Sequence, residues 1–182
     1  LPEVSVIICA RNEEENLKKH LPSVLKQNYP KYEVIVINDR SIDETETVLE
    51  LYKKEYPHLK TSFVPHNAKY IDSKKIAVIL GVKAAKNDIL VFTDADCEPI
   101  SDKWLENMVR SFSAQKQIVL GYGAYNKNKS FTNLVQVFDT LFIGIQYLNY
   151  AIAGFPYMGV GRNMAYRKSF FESSKGFSKH LD

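Results

Sequence analysis

Short apolar runs that alternate with helical patterns constrain this chain more than any other feature. Residues 4–9, 33–38 and 89–93 are almost continuously apolar and β-rich, the pattern of strands buried on both faces. Residues 60–64 predict a short strand, and 117–125 a further one. Between them lie helical stretches. In the first, Asn12 is expected to act as N-cap with Glu15 as its capping-box partner. Leu17, Leu21, Val24 and Leu25 line one face, and Pro22 should kink the helix. The second is capped by Ser41 or Asp43 and carries Val48, Leu51, Tyr52 and Tyr56 on its apolar face. Residues 73–85 and 102–112 predict two more helices, the latter capped by Ser101 or Asp102.

Strands separated by helices of this length mean βαβ units and a parallel sheet. In such sheets ligands bind beyond the carboxyl ends of the strands. The residues after each strand therefore matter most. They are Ala10-Arg11-Asn12-Glu13-Glu14 after the first, Asp39-Arg40-Ser41 after the second and Asp94-Ala95-Asp96-Cys97 after 89–93. All three are expected on one edge.

Composition narrows the class. The 182 residues are 45% hydrophobic and 25% charged, which excludes a mainly disordered chain. Two cysteines, Cys9 and Cys97, make neither a disulfide framework nor a four-ligand zinc site, so a reducing, cytoplasmic compartment is expected. A net charge of +3 without a basic run offers nothing to nucleic acid. Leu1 and Asp182 both read as cuts through something longer. After residue 125 the pattern changes: residues 130–153 are mostly apolar but interrupted by polar side chains. This stretch is either a core helix or one lying in a membrane interface. The glycines at 154, 159 and 161 mark a loop before 163–167.

Asp94 and Asp96 end a strongly apolar strand, so both carboxylates can approach one hard cation, Mg2+ or Mn2+. A solvated turn with capping aspartates is the competing reading. Asp39 could accept the N3–H of uracil, or simply serve its loop. Lys74 starts a helix, where phosphate is favoured, whereas Lys83 and Lys86 read as a solvated basic face. Arg11 and Glu13 are candidates by position. The histidines at 20, 58, 66 and 180 show no metal-ligand spacing and read as surface residues. No phosphate-binding P-loop and no dinucleotide fingerprint follows a strand.

Taken in order, these pieces resemble the family 2 glycosyltransferases. The opening V-S-V-I-I-C-A-R-N-E-E (residues 4–14) is similar to that family's V-S-V-I-I-P-A-Y-N-E-E. Gln27-Asn28-Tyr29-Pro30 is similar to its Q-x-Y-P, and residues 33–43 to its E-I-I-V-V-D-D-G-S-T-D. Residues 73–81 are similar to a worn G-K-x-x-A-L-N-x-G, and 89–97 to its metal strand. Residues 161–167 and Lys175-Gly176-Phe177 are similar to its late G-x-N-M-A-F-R and G-G-F. The resemblance implies an α/β GT-A fold, Rossmann-like, with a mostly parallel twisted sheet and helices on both faces. It divides the chain into a donor-binding region, 1–125, and an acceptor-side region, 126–182.

The resemblance also implies roles. Asp39 would bind the uracil of a UDP-sugar. Asp94 and Asp96 would form the D-x-D, with Asp96 the direct ligand of Mg2+ or Mn2+. Lys74 would face the donor phosphates, and Ala10, Arg11, Glu13 and Ala95 would line the nucleotide pocket. The reaction would be a single inverting displacement onto a hydroxyl of a glycan or lipid-linked acceptor. Relatives of this kind work at the cytoplasmic face of a membrane, which residues 130–155 could touch. Cys9, Arg11, Arg40, Ser73 and Cys97 depart from the family pattern. The general base is expected beyond Asp182, so the chain would bind donor without turning it over. Two other readings are a non-catalytic nucleotide-sugar binding module and a haloacid-dehalogenase-like phosphatase, whose D-x-D would sit on the first strand.

Overall fold

A computed structural model describes residues 1–65 and 73–174. His66, Lys69, Asp72, His180 and Asp182 lie outside the described residues, as does Lys175-Gly176-Phe177. The elements in chain order are β1 (Val4–Ala10), α1 (Glu14–Leu25), β2 (Tyr32–Asn38), α2 (Thr45–Glu55) and β3 (Leu59–Phe63). Then come α3 (Ser73–Ala84), β4 (Ile89–Asp94), α4 (Trp104–Arg110) and β5 (Ile118–Leu120). The last are α5 (Phe131–Ile152), a single 3-10 turn (Gly161–Asn163), β6 (Met164–Arg167) and α6 (Lys168–Ser173).

The six strands make one sheet in the order β3-β2-β1-β4-β6-β5. β1 pairs in parallel with both β2 and β4, so Cys9 lies opposite Ile37 on one side and Asp94 on the other. This is where the strand order reverses, the place where a parallel sheet leaves a crevice. β6 runs antiparallel between β4 and β5. Strand alternation divides the core in two. Val4, Val6, Ile8 and Ala10 face Leu17, Leu21, Val48 and Leu105 on one side. Ile7, Ile35, Ile37 and Leu90 face Ala77 and Val82 of α3 on the other. Helices therefore cover both faces, as expected. α3 lies so close that a Cβ on Gly81 would meet Ile7 Cγ2 at 2.5 Å.

Several local expectations are corrected. Asn12 does not cap α1: its backbone is left-handed, with φ 56°, and Glu15 accepts a hydrogen bond from Lys18 instead of closing a capping box. The first α1 donors go to the other loop, Glu13 N–H to Thr45 Oγ1 at 3.0 Å and Glu14 N–H to Asp43 Oδ2 at 3.1 Å. Asp43 also takes the Thr45 N–H with Oδ1, so of the two candidates it is the one that serves α2. Leu51 is 60% exposed, and Leu49 takes the buried place beside Val48. The last expected strand shrinks to Ile118–Leu120, and beyond it the Gly121 carbonyl and the Tyr122 ring meet Tyr147 and Gly144 of α5.

Pro22 sits inside α1 and lacks the N–H that would reach the Lys18 carbonyl. The Tyr52 hydroxyl of α2 donates to that carbonyl at 3.1 Å. A defect in one helix is thus satisfied by its neighbour.

Glu33, only 7% exposed, joins three strands. Its Oε1 accepts from Ser5 Oγ at 2.7 Å and from Lys86 N–H at 2.8 Å, and Oε2 pairs with Lys60. Burial alone would raise its pKa. The bonds from Lys60, Lys86 and Ser5 outweigh this and hold it below the ordinary 4.5. A lowered folded-state pKa means that stability is fully present above pH 4.5 and is lost as pH falls through the folded value. Glu33→Gln is expected to cost about 2 kcal/mol at pH 7 and to flatten the acid limb of stability between pH 5 and 3. Urea unfolding across that range checks this.

Candidate active site

The loops leaving β1 and β2 are laced together. Asp39 N–H donates to the Ala10 carbonyl at 2.7 Å. Asn12 N–H donates to Ser41 Oγ, and Ile42 N–H to Asn12 Oδ1, both at 2.9 Å. Ser41 N–H is held by Asn38 Oδ1 at 3.0 Å. Beneath this lacing Asp39 is only 4% exposed. Its Oδ1 receives Arg40 Nε at 3.0 Å. Arg40 is left-handed, with φ 55°, a conformation that favours glycine. A glycine stands there in the pattern the sequence resembles, and here the ion pair accompanies the strained backbone.

Asp94 ends β4 with its side chain half-buried, and Ala95 is buried behind it. Cys97 N–H returns to the Asp94 carbonyl at 3.1 Å, closing a turn that leaves Asp96 exposed at the rim. Lys74, in the first turn of α3, places Nζ 3.0 Å from Asp94 Oδ1. Burial works against its charge, but the bond to Asp94 and the attraction of Asp94 and Asp96 outweigh this and raise its pKa. A cation thus already stands at the carboxylate read as a metal ligand. Two hard carboxylates at the rim suit Mg2+ or Mn2+, with water and phosphate oxygens completing the shell. Among the described residues no third His, Cys, Asp or Glu joins them into a closed protein cage.

The structure brings most of the expected residues together. Cys9 lies between Lys74, Asp94 and Asp39, close enough to feel all three charges. Arg11 is exposed beside this edge. Glu13 is partly buried and turned onto Asn16 Nδ2 at 2.6 Å, so its side chain is tied to α1. Beyond Lys74 a mostly apolar cavity of about 340 Å3 runs between Cys9, Phe92, Met164, Tyr166 and Phe171.

Sequence reasoning missed the supports of the Asp94 turn. His20, read as a surface residue, is buried in α1 and holds Glu98 Oε2 at 3.2 Å through Nδ1. His58 is partly buried too, with its ring against Tyr32 and Tyr56. Gln27 accepts Leu105 N–H and donates to the Ser101 carbonyl, fixing the start of α4. Asn163 bridges Trp104 Nε1 and the Tyr122 carbonyl, each at 3.0 Å. The Gln27-Asn28-Tyr29-Pro30 and Gly161–Asn163 motifs carried the only signal for the last two.

The sequence profile described as glycosyl transferase family 2 matches residues 5–174. Glycosyltransferase AglE of Haloferax volcanii is 36% identical over 115 residues, which are 62% of this chain and 36% of that protein. A beta-monoglucosyldiacylglycerol synthase of Nostoc sp. is 31% identical over 142 residues, 77% of this chain and 29% of that protein. The chain thus spans about a third of the length of these relatives. In fold it is similar to mannosyltransferase PcManGT from Pyrobaculum calidifontis, solved in complex with GDP-Man and Mn2+. The TM-score is 0.71 at 22% identity, over 98% of this chain and 48% of that one.

Burial is the first cause that pushes both thiols up to about 12, with Asp94 adding to it at Cys9 and Asp96 and Asp94 adding to it at Cys97. A thiol with a pKa near 12 is about one part in 10,000 thiolate at pH 8. In the folded protein neither Cys9 nor Cys97 should be alkylated by iodoacetamide at pH 8 on the timescale that modifies both in urea. Mass spectrometry of quenched samples checks this.

Proposed function

The chain belongs to glycosyl transferase family 2, with its GT-A fold, and we propose that it is the donor-binding part of a metal-dependent, inverting glycosyltransferase that takes a UDP-sugar. The observation that carries this reading is the meeting of Asp39, Lys74, Asp94 and Asp96 at the carboxyl edge where the strand order reverses. Asp39 binds the nucleobase. Its carboxylate can accept the N3–H of uracil, and Arg40 steadies it through Oδ1. Ala10, Arg11 and Glu13 border the nucleotide, with the Ala10 carbonyl and the Glu13 carboxylate already engaged within the protein.

Asp96, with Asp94, would hold Mg2+ or Mn2+, which supplies positive charge beside the diphosphate. Lys74 exchanges its pairing with Asp94 for a donor phosphate. Its ammonium then offsets negative charge that grows on the leaving group as the sugar bond breaks. Ala95 contributes its small, buried side chain, so the turn packs without blocking the edge. The acceptor is a hydroxyl of a glycan or a lipid-linked molecule, its proton taken by a general base beyond Asp182. Residues 1–125 carry the donor side and 126–182 the acceptor side, with the loop residues 121–125 facing the latter. The phosphatase reading loses its ground, since the D-x-D ends β4 within a family 2 domain.

Calorimetry tests the donor reading. UDP is expected to bind in Mn2+ or Mg2+, ahead of GDP, and to be released by EDTA. Asp96→Ala should abolish binding. Tight UDP binding that ignores EDTA would overturn the metal role.

The full-length protein is further proposed to work at the cytoplasmic face of a membrane. No helix among the described residues is long and apolar enough to cross one. The outward face of α5 supports surface contact: Phe131, Leu134, Val135, Phe138, Leu141, Phe142 and Ile145 are all exposed, beside Lys127 and Lys129. A side this apolar at interfacial spacing can lie among head groups. Sedimentation with vesicles containing one-third anionic phospholipid should recover the protein. Phe138→Asp combined with Phe142→Asp should reduce recovery about tenfold.

A further inference from the structure

Residues 121–125 and α5 enclose a second cavity, of about 310 Å3. It opens at the same edge as Asp94. Phe92 of β4 and Leu120 of β5 both lie opposite Met164, so the chain leaves β4 and β5 at one level. The Gly161–Asn163 turn separates the two clefts, with Gly161 on the Asp94 side and Val160 and Arg162 on the other.

α5 turns a mixed face to the cavity. Gln136, Asp139 and Thr140, one turn apart, line it together with Ile143 and Tyr147, while the exposed apolar side chains of the helix face away. Asp139 is the one charged side chain in this 22-residue helix. The opposite wall is fixed. Tyr122 packs so closely on Gly144 that a Cβ there would meet its ring at 2.7 Å, and its carbonyl is held by Asn163. Tyr147 donates to the Gly121 carbonyl at 2.8 Å. Arg162 gives Nε and Nη2 to the Gly123 carbonyl at 3.2 and 2.9 Å and lies 5.2 Å from the centroid of the Tyr125 ring.

A preformed cleft with aromatic walls, one carboxylate, a guanidinium already engaged by the Gly123 carbonyl, and neutral hydrogen-bonding side chains matches a polyhydroxyl ring. The C–H faces of such a ring lie on tyrosines, and its hydroxyls donate to a carboxylate. We propose that this cavity binds the sugar ring of the acceptor, with Asp139 accepting from its hydroxyls, Gln136 and Thr140 completing the polar side, and Tyr122 and Tyr125 supplying the aromatic walls. The proposal rests on the glycosyltransferase reading for the word acceptor, but binding of the ring stands on the cavity alone.

The test titrates methyl β-glucoside, β-galactoside and β-mannoside, and their octyl counterparts, into the protein with and without UDP and Mn2+, by calorimetry and NMR. At least one glycoside is expected to bind. Asp139→Asn and Tyr125→Ala should each weaken it tenfold or more, with UDP affinity kept within twofold. Binding by octyl glycosides alone, still lost in Asp139→Asn, supports a lipid-linked ring. Binding by methyl glycosides as well supports a glycan. Should Asp139→Asn lose cooperative unfolding, Gln136→Ala, an exposed substitution on the same wall, should show the weakening instead. No binding by any glycoside, or binding that is unchanged in the folded variants, overturns the proposal. Failure of UDP to bind while an Asp139-dependent glycoside does would count against the donor reading and leave this site standing.

Discussion

The lacing of the loops after β1 and β2 is the interaction on which the rest of the molecule depends. Two helices begin there side by side, and each brings N–H groups that have no partner within its own helix. Ser41, Asp43 and Thr45 accept from Asn12, Glu13 and Glu14, while Asn12 answers Ile42. Each bond contributes only about 1 kcal/mol net, yet leaving any buried donor unmet costs more. The same lacing brings Asp39 under cover and aims its carboxyl at the edge where β1 meets β4. Without it, the sheet would still pair, but the nucleobase end of the proposed donor site would have no fixed form.

The opposite end of that site is built differently. Asp94 is placed by strand pairing, since the register that sets Val6 against Val91 also sets Cys9 against Asp94. Its turn is then braced from behind by His20 through Glu98, and α4 is braced by Gln27. Rigid backing for a carboxylate pair at the rim suits a site whose ligand arrives with its own oxygens. Lys74 keeps the resting site near electrical balance.

The sheet and most of the candidate site were legible because they follow from local pattern. The runs around Val6, Ile35 and Val91 had to be strands buried on both faces, and polar residues at their ends had to share an edge. Asn12, Glu15 and His20 were misread because their partners lie elsewhere in the chain. A serine 29 residues away competes for the Asn12 backbone, and a glutamate 78 residues away gives His20 a reason to be buried. The left-handed Arg40 could be suspected only from the glycine that stands in its place in the family pattern. β6 escaped notice as an antiparallel strand because four residues carry too little periodicity to show direction. The face that α5 turns inward was illegible for another reason. Its apolar stripe pointed more strongly to a core or partner contact than to the outward orientation found.

Pro22 and Tyr52 give the molecule a mechanical division. The Tyr52 hydroxyl fastens α2 to the middle of α1, and the Glu13–Thr45 and Glu14–Asp43 bonds fasten the two helices at their starts. The two helices are thus joined at their starts and again along their length, as one layer on that face of the sheet. On the other face α3 packs its Gly81 against Ile7 and carries Lys74 in its first turn, so the charge that meets Asp94 reaches it from a different layer than the loops that cover Asp39.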